Sequence, residues 1–293
     1  MSQTSAEIKV VSQGRVRTRG LVRIVRRHPL IVTGGGLLVI LIIAALAAPL
    51  YAGDPMALDP FKRLQSPSPD MWFGSDNLGQ DVFARTMYGA RISLLVGLTA
   101  AVAAALGGLL IGVIAGYVGS FDRIVMRVLD GLMSIPTFLL AIALISLTGP
   151  GIVILIAAIV IPELPSVTRL VRSVVLSVRE RPYVEAALCG GARLPKVLWR
   201  HILPTAIPPL MVQSANVCAG AILTEAGLSF LGAGMPPEIP SWGNMISSSR
   251  LYLPIAPVML FAPGVFLAIT VLAVNLLGDG LRDLFDPRSK RRR

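Results

Sequence analysis

The chain has 293 residues, 54% of them hydrophobic and 15% charged, with a formal net charge of +11 and a mean hydropathy of +0.72. That balance excludes an ordinary soluble domain and belongs to a chain that lives in lipid. The basic excess does not indicate nucleic acid, because Lys and Arg flank long apolar runs instead of marking one face of a soluble domain.

Residues 1–28 are polar and basic and read as a tail that meets anionic headgroups, as does the basic end of the chain at 281–293, "RSKRRR" included. Between them six apolar runs approach or exceed the roughly 18 residues needed to cross the hydrocarbon. They extend from about Pro29 to Tyr51, Ile92 to Val118, Val125 to Leu147, Gly151 to Thr168, Ile202 to Leu231 and Leu253 to Gly278. The expected architecture is an all-α polytopic membrane protein of six transmembrane helices. The first run is too long, and its basic leader too extended, for the usual cleavable signal. With the N-terminus inside, 22 of the 27 basic residues fall in inner segments, which predicts that both termini are cytoplasmic.

Residues 29–90 comprise the first span, an outer segment rich in Pro, Asp and Gly, and an amphipathic helix expected at the outer interface between Asp81 and Arg91. Residues 91–280 hold the remaining five helices. The second span carries Ala100, Ala104, Gly108, Gly112 and Gly116 at a spacing of four. Small residues let helix backbones approach closely where lipid supplies no hydrophobic drive, so this series predicts a buried packing face. In the fourth span, Glu163 lies near the inner end beside Pro162 and Pro165; an ionisable residue there is a functional candidate, and a salt bridge to Arg169 or Arg172 is the alternative expected. In the fifth, Gln213, Asn216, Gly220, Thr224 and Gly227 share one helical face. Such a stripe is either interhelical glue or the lining of a wet path. Glu225 falls off the stripe near the outer end and is a candidate gate or interface residue. The outer connection from Gly232 to Pro254 is read as a partly structured cap, with a short helix near Trp242 to Arg250.

No phosphate loop is present; "GGARLPK" lacks both the spacing and the hydroxyl residue after Lys. His28 and His201 have no metal-ligand spacing, and no nucleophile–base constellation is legible. Cys189 and Cys218 fall at different levels of the bilayer and imply no disulfide framework. No catalytic, cofactor-binding or metal residues are expected. The inner loop, about 179–203, instead reads as a helical hairpin. One arm runs from about Pro182 to Gly190, the turn uses Gly190 and Gly191, and the second arm runs from about Pro195 to His201 and closes at Pro204.

"EAALCGGARLPKVLWRHILP" resembles the EAA loop of ABC-importer membrane subunits, with Glu185, Ala186, Ala187, Gly191, Leu203 and Pro204 on the pattern and His201 where an apolar residue is usual. "WFGSDNLGQDVFARTMYGARISLLVG", with Gln80 where Arg is common, "DGLMSIPTFLLAIAL" and "NLLGDGLRDLFDP" are similar to three further segments of the C-type permease of dipeptide, oligopeptide and nickel importers. The resemblance implies a type I ABC importer permease fold in a bacterial inner membrane. It also implies a homologous B-type permease as partner, one or two ATPase subunits that carry the ATP and Mg, and an extracytoplasmic substrate-binding protein. The EAA loop would be the coupling element, and peptides the expected substrate. Nickel or another small solute is the alternative cargo, and an ion-driven secondary transporter the alternative mechanism; the latter predicts acidic pairs and an internal repeat that are not seen.

Overall fold

The computed structural model describes residues 29–285; the two basic tails expected at 1–28 and 281–293 lie wholly or largely outside that range. Among the described residues the chain is helical, with one isolated bridge pair, Ser75 and Asp81, in place of any strand. The helices are α1 (Pro29–Tyr51), α2 (Val82–Tyr117), α3 (Gly119–Met133), α4 (Thr137–Thr148), α5 (Ile152–Arg179), α6 (Pro182–Cys189), α7 (Leu194–Phe230), α8 (Trp242–Ser249) and α9 (Val258–Phe285).

Five of these, α1, α2, α5, α7 and α9, are long and apolar enough to cross a membrane. The expected third span departs from the single helix read from sequence. It is a pair, α3 and α4, bent by 92°. Pro136 explains the break: it disfavours helical backbone at Ile135 and offers no N–H to continue the ladder. The 12 residues of α4 rise only about 18 Å, short of the roughly 30 Å hydrocarbon. The amphipathic α3 instead lies along α5, to which it is tied by ion pairs from Asp122 to Arg172 and from Asp130 to Arg169.

The helix expected at the interface before span two is not a separate element. Residues 82–91 are the first turns of α2. Asp81 caps that helix, its carboxylate accepting the Phe83 N–H at 2.8 Å. Burial pushes the Asp81 pKa up while backbone hydrogen bonds, from Phe83 and Ala84, pull it back. Val82, Ala84, Arg85, Thr86 and Met87 are buried because the end of α1, the preceding loop, and Trp242, Met245 and Met259 surround them. In that loop Asp76 accepts the N–H groups of Leu78 and Gln80, both at 2.8 Å, and pairs with Arg85 at 3.6 Å. Gly79, at φ +80°, lets the loop pass close against the Asp59 carbonyl.

The core is built on α2 against α5 and α7. Ala100 and Ala104 are fully buried, and Gly108, Gly112 and Gly116 face α5. A Cβ on Gly112 would stand 2.8 Å from both the Thr168 carbonyl oxygen and Val171 Cβ. The spacing of four therefore brings two backbones into contact, as expected. Two clusters continue the packing. One holds Val96, Ala141, Ile145, Leu155 and Ile159, and the other Val167, Val171, Val175 and Val178 with Val184, Val197 and Ile202. The second cluster anchors the loop end of the bundle; α8 closes the opposite, cap end.

Candidate functional site

The loop between α5 and α7 forms the expected hairpin. Pro182 opens α6 at its first position, where its missing N–H costs nothing. The helix stops at Cys189, and Gly191 takes a φ of +81° while the Ala192 N–H reaches back to the Ala187 carbonyl at 3.0 Å. Nothing stands within 4 Å of a Cβ placed on Gly191. The backbone angle, and not space, demands glycine there.

The second arm does not close at Pro204. It continues as α7 through Phe230. The turn from Leu198 to Ile202 is π-helical, and this wider turn accommodates the proline that follows without ending the helix. The loop is consequently a rigid extension of a membrane helix.

Val184, Val197 and Ile202 are fully buried and hold both arms to the end of α5. Glu185 and Ala186 are exposed, Ala187 is half-buried, and Leu203 and Pro204 sit on the continuing helix. Glu185 forms no salt bridge with Arg181 or Arg193 among the described residues. Sequence reasoning overlooked the apolar surface that the same hairpin exposes. Trp199 is 76% exposed, Leu194 52%, and Tyr183 and Leu188 43% each. Tyr183 also packs on His201, ring centroids 5.9 Å apart. A rigid hairpin that exposes Trp, Tyr and Leu side chains has the composition of a protein-docking surface.

The stripe on α7 divides between its two readings. Gln213 is half-buried and its Nε2 donates to Ser166 Oγ on α5 at 3.5 Å, a long bond that ties helices together. Asn216 is exposed, and a Cβ on Gly220 would meet nothing within 4 Å. Thr224 is half-buried, and Gly227 lies under the Phe138 ring. An open polar face thus runs past Asn216 and Gly220.

Two expectations are corrected. Glu163 forms no pair with Arg169 or Arg172, because those guanidinium groups are taken by Asp130 and Asp122 on α3; the Glu163 carbonyl instead accepts Ser166 Oγ at 2.8 Å. Glu225 is neither an exposed interface residue nor one that faces a path. It is completely buried, accepting Ser93 Oγ at 3.2 Å and Ser229 Oγ at 3.0 Å, with Ser241 as a third hydroxyl partner. A carboxyl group in a low-dielectric interior needs such donors.

Ser241 leads into the cap. Trp242 is fully buried and donates its Nε1–H to the Thr86 carbonyl at 3.0 Å. Asn244 Nδ2 points at the carbonyls of Met235, Pro236 and Ile239, at 2.9 to 3.2 Å. The short helix expected near Trp242 to Arg250 is present as α8. Its locking role was not legible from sequence.

The arrangement contains no group of three or more His, Cys, Asp or Glu able to hold a metal ion among the described residues. Comparison with known proteins agrees with a transport architecture. Residues 108–291 match the family model described as binding-protein-dependent transport system inner membrane component. The chain is 77% identical over 279 residues, 95% of its own length and 96% of the relative's, to a probable peptide ABC transporter permease of Sinorhizobium fredii. It is 39% identical to a dipeptide transport system permease of Alkalihalophilus pseudofirmus, covering 90% and 88% of the two chains. Among solved structures, an inward-facing MetNI methionine ABC transporter aligns over 69% of this chain and 97% of that one, with a TM-score of 0.57 at 20% identity, a likeness of fold. The chain is a multi-pass membrane protein and belongs to the family of binding-protein-dependent transport system inner membrane components.

Proposed function

We propose that the chain is the non-catalytic permease subunit of an ATP-driven, binding-protein-dependent importer that carries di- or oligopeptides across a bacterial inner membrane. The observation that carries this reading is the hairpin at 182–204. It is welded by Val184, Val197 and Ile202 to the end of α5, is continuous with α7, and presents Glu185, Leu188 and Trp199 outward. A rigid extension transmits displacement into membrane helices, which a floppy loop would absorb. An ATPase subunit that grips this surface and closes on ATP with Mg would pull α7, and with it the Gln213, Asn216, Gly220 and Thr224 face.

The basic residues favour a cytoplasmic hairpin with both termini on the same side. The cap end, with α8, then faces the binding protein. The open polar face of α7 completes a path against a homologous B-type permease, and that partner supplies the second wall. Peptide as cargo is supported by the names of the Sinorhizobium and Alkalihalophilus relatives; the open stripe carries no charge, which suits peptides of varied side chains.

The test is ATP-driven peptide uptake in proteoliposomes holding the permease pair, the ATPase subunits and the binding protein. Gly191→Asp should insert and assemble normally but lose uptake, because an L side chain strains the turn at φ +81°. Wild-type uptake by that variant would overturn the coupling role. Uptake of nickel instead of peptide by the wild-type assembly would redirect the cargo.

A further inference from the structure

At the cap end, a cavity of about 620 Å³ opens between the end of α1, the first turns of α2 and the segment before α8. Its walls include Asp54, Met56, Tyr88, Arg91, Ile92 and Ile239. One cation and one anion therefore line the same space. Arg91 engages two backbone carbonyls through Nε and one terminal nitrogen, and lies 5.0 Å over the Tyr88 ring. Its other terminal nitrogen has no hydrogen-bond partner among the described residues. Asp54 accepts the Met56 N–H through Oδ1 at 2.9 Å, and its second carboxylate oxygen has none there either.

The level of this cavity is set by sequence. Arg91 is the last charge before the uncharged run that begins at Ile92, and Asp54 follows closely on the uncharged run that ends at Tyr51. Both side chains thus stand where hydrocarbon gives way to headgroups. Below Arg91, the exposed side chains of Leu95, Leu98, Val102 and Leu106 descend α2, within an arc of about 80° that also contains Arg91. A strip of exposed apolar side chains therefore runs along α2 from the turn that carries Arg91.

We propose that this cavity holds the headgroup of an aminophospholipid, with its phosphate on Arg91, its primary ammonium on Asp54, and an acyl chain along Leu95, Leu98, Val102 and Leu106. Arginine suits phosphate through directed N–H donors. The carboxylate discriminates between headgroups, since an ethanolamine ammonium can donate hydrogen bonds to it and a choline cannot. The site is separate from the coupling hairpin and from the open face of α7, so it stands or falls independently of the transport reading.

The test uses the full-length chain co-purified with its partner subunits, stripped of lipid and titrated with phosphatidylethanolamine or phosphatidylcholine of the same acyl chains. Native mass spectrometry reads the bound lipid. Wild type should hold one phosphatidylethanolamine about tenfold more tightly than phosphatidylcholine, the size of one charge-assisted hydrogen bond. Asp54→Asn, at an exposed position, should erase that preference with its thermal transition unchanged. Ile239→Trp, which fills the cavity, should weaken both lipids. Equal retention of the two lipids by wild type would overturn the proposal, as would undiminished phosphatidylethanolamine binding in both variants. Displacement of the lipid by excess dialanine would overturn it in favour of a peptide site.

Discussion

The Nε–H of Arg91 donates to the carbonyl of Ala45 at 2.6 Å, and that carbonyl is the one Pro49 leaves without an intrahelical donor. Proline lacks the N–H that would have bonded four residues back. Ala45 is buried, so its carbonyl would otherwise be orphaned in an apolar setting. One residue from α2 thereby repairs α1 and fastens the peripheral helix to the core.

Arg91→Met should lower stability by about 1 to 3 kcal/mol, the cost of a buried unsatisfied acceptor. In a Pro49→Ala background the same change should cost clearly less, since an alanine at that position would supply the missing N–H. The check is a double-mutant cycle on the thermal unfolding of detergent-solubilised protein. Simple additivity of the two changes would show that the orphaned carbonyl is not what Arg91 serves.

A second prediction concerns the contact of α2 with α5. Gly112→Leu drives its side chain into the Thr168 carbonyl and Val171, and overpacking of this kind costs about 1 to 3 kcal/mol. Gly220→Ala, where a Cβ meets nothing within 4 Å, should leave the melting temperature unchanged or raise it slightly. Equal tolerance of the two would mean that the helices separate easily. The same measurement on both variants decides it.

The third prediction rests on Glu225. Glu225→Leu strands the hydroxyls of Ser93 and Ser229 in a buried setting and should lower stability by at least about 2 kcal/mol. Glu225→Gln keeps an acceptor for those donors and should recover most of the loss. Because Ser241 also caps α8 by accepting the Asn244 N–H at 3.2 Å, the Leu variant should additionally expose the cap to limited proteolysis near residues 232–241. A Leu variant as resistant as wild type would sever the link between Glu225 and the cap.

Features that depend on residues close in sequence were legible from it. Apolar length located the membrane helices and matched both ends of Pro29–Tyr51, but it missed ends where a helix runs on into polar residues, as where α2 starts at Val82 instead of Ile92 and α5 ends at Arg179 instead of Thr168. The series from Ala104 to Gly116 predicted a packing face because a spacing of four is a property of one helix. Gly190, Gly191 and Pro182 marked the hairpin turn and its opening for similarly local reasons. Even the break between α3 and α4 had its signal in "SIP", which averaged hydropathy smooths over, so that residues 125–147 read as one span.

Features that depend on distant residues were not. Glu225 meets Ser93 from 132 positions away, Trp242 meets Thr86 from 156, and Arg91 meets Ala45 from 46. A polar residue in a spanning helix announces only that it needs a partner. Which hydroxyl, carbonyl or carboxylate supplies it depends on how the helices rotate and cross. Arg169 and Arg172 illustrate the point: Glu163 was the nearer acid along the chain, yet α3 presents Asp130 and Asp122 to them across a helix contact. The sequence by itself therefore determined that this chain crosses a membrane and carries a rigid hairpin, because hydrophobic length and turn chemistry act over a few residues. Only the tertiary structure decided which buried polar groups satisfy one another, which face of α7 stays open, and that Asp54 and Arg91 line one cavity, because those depend on packing between helices.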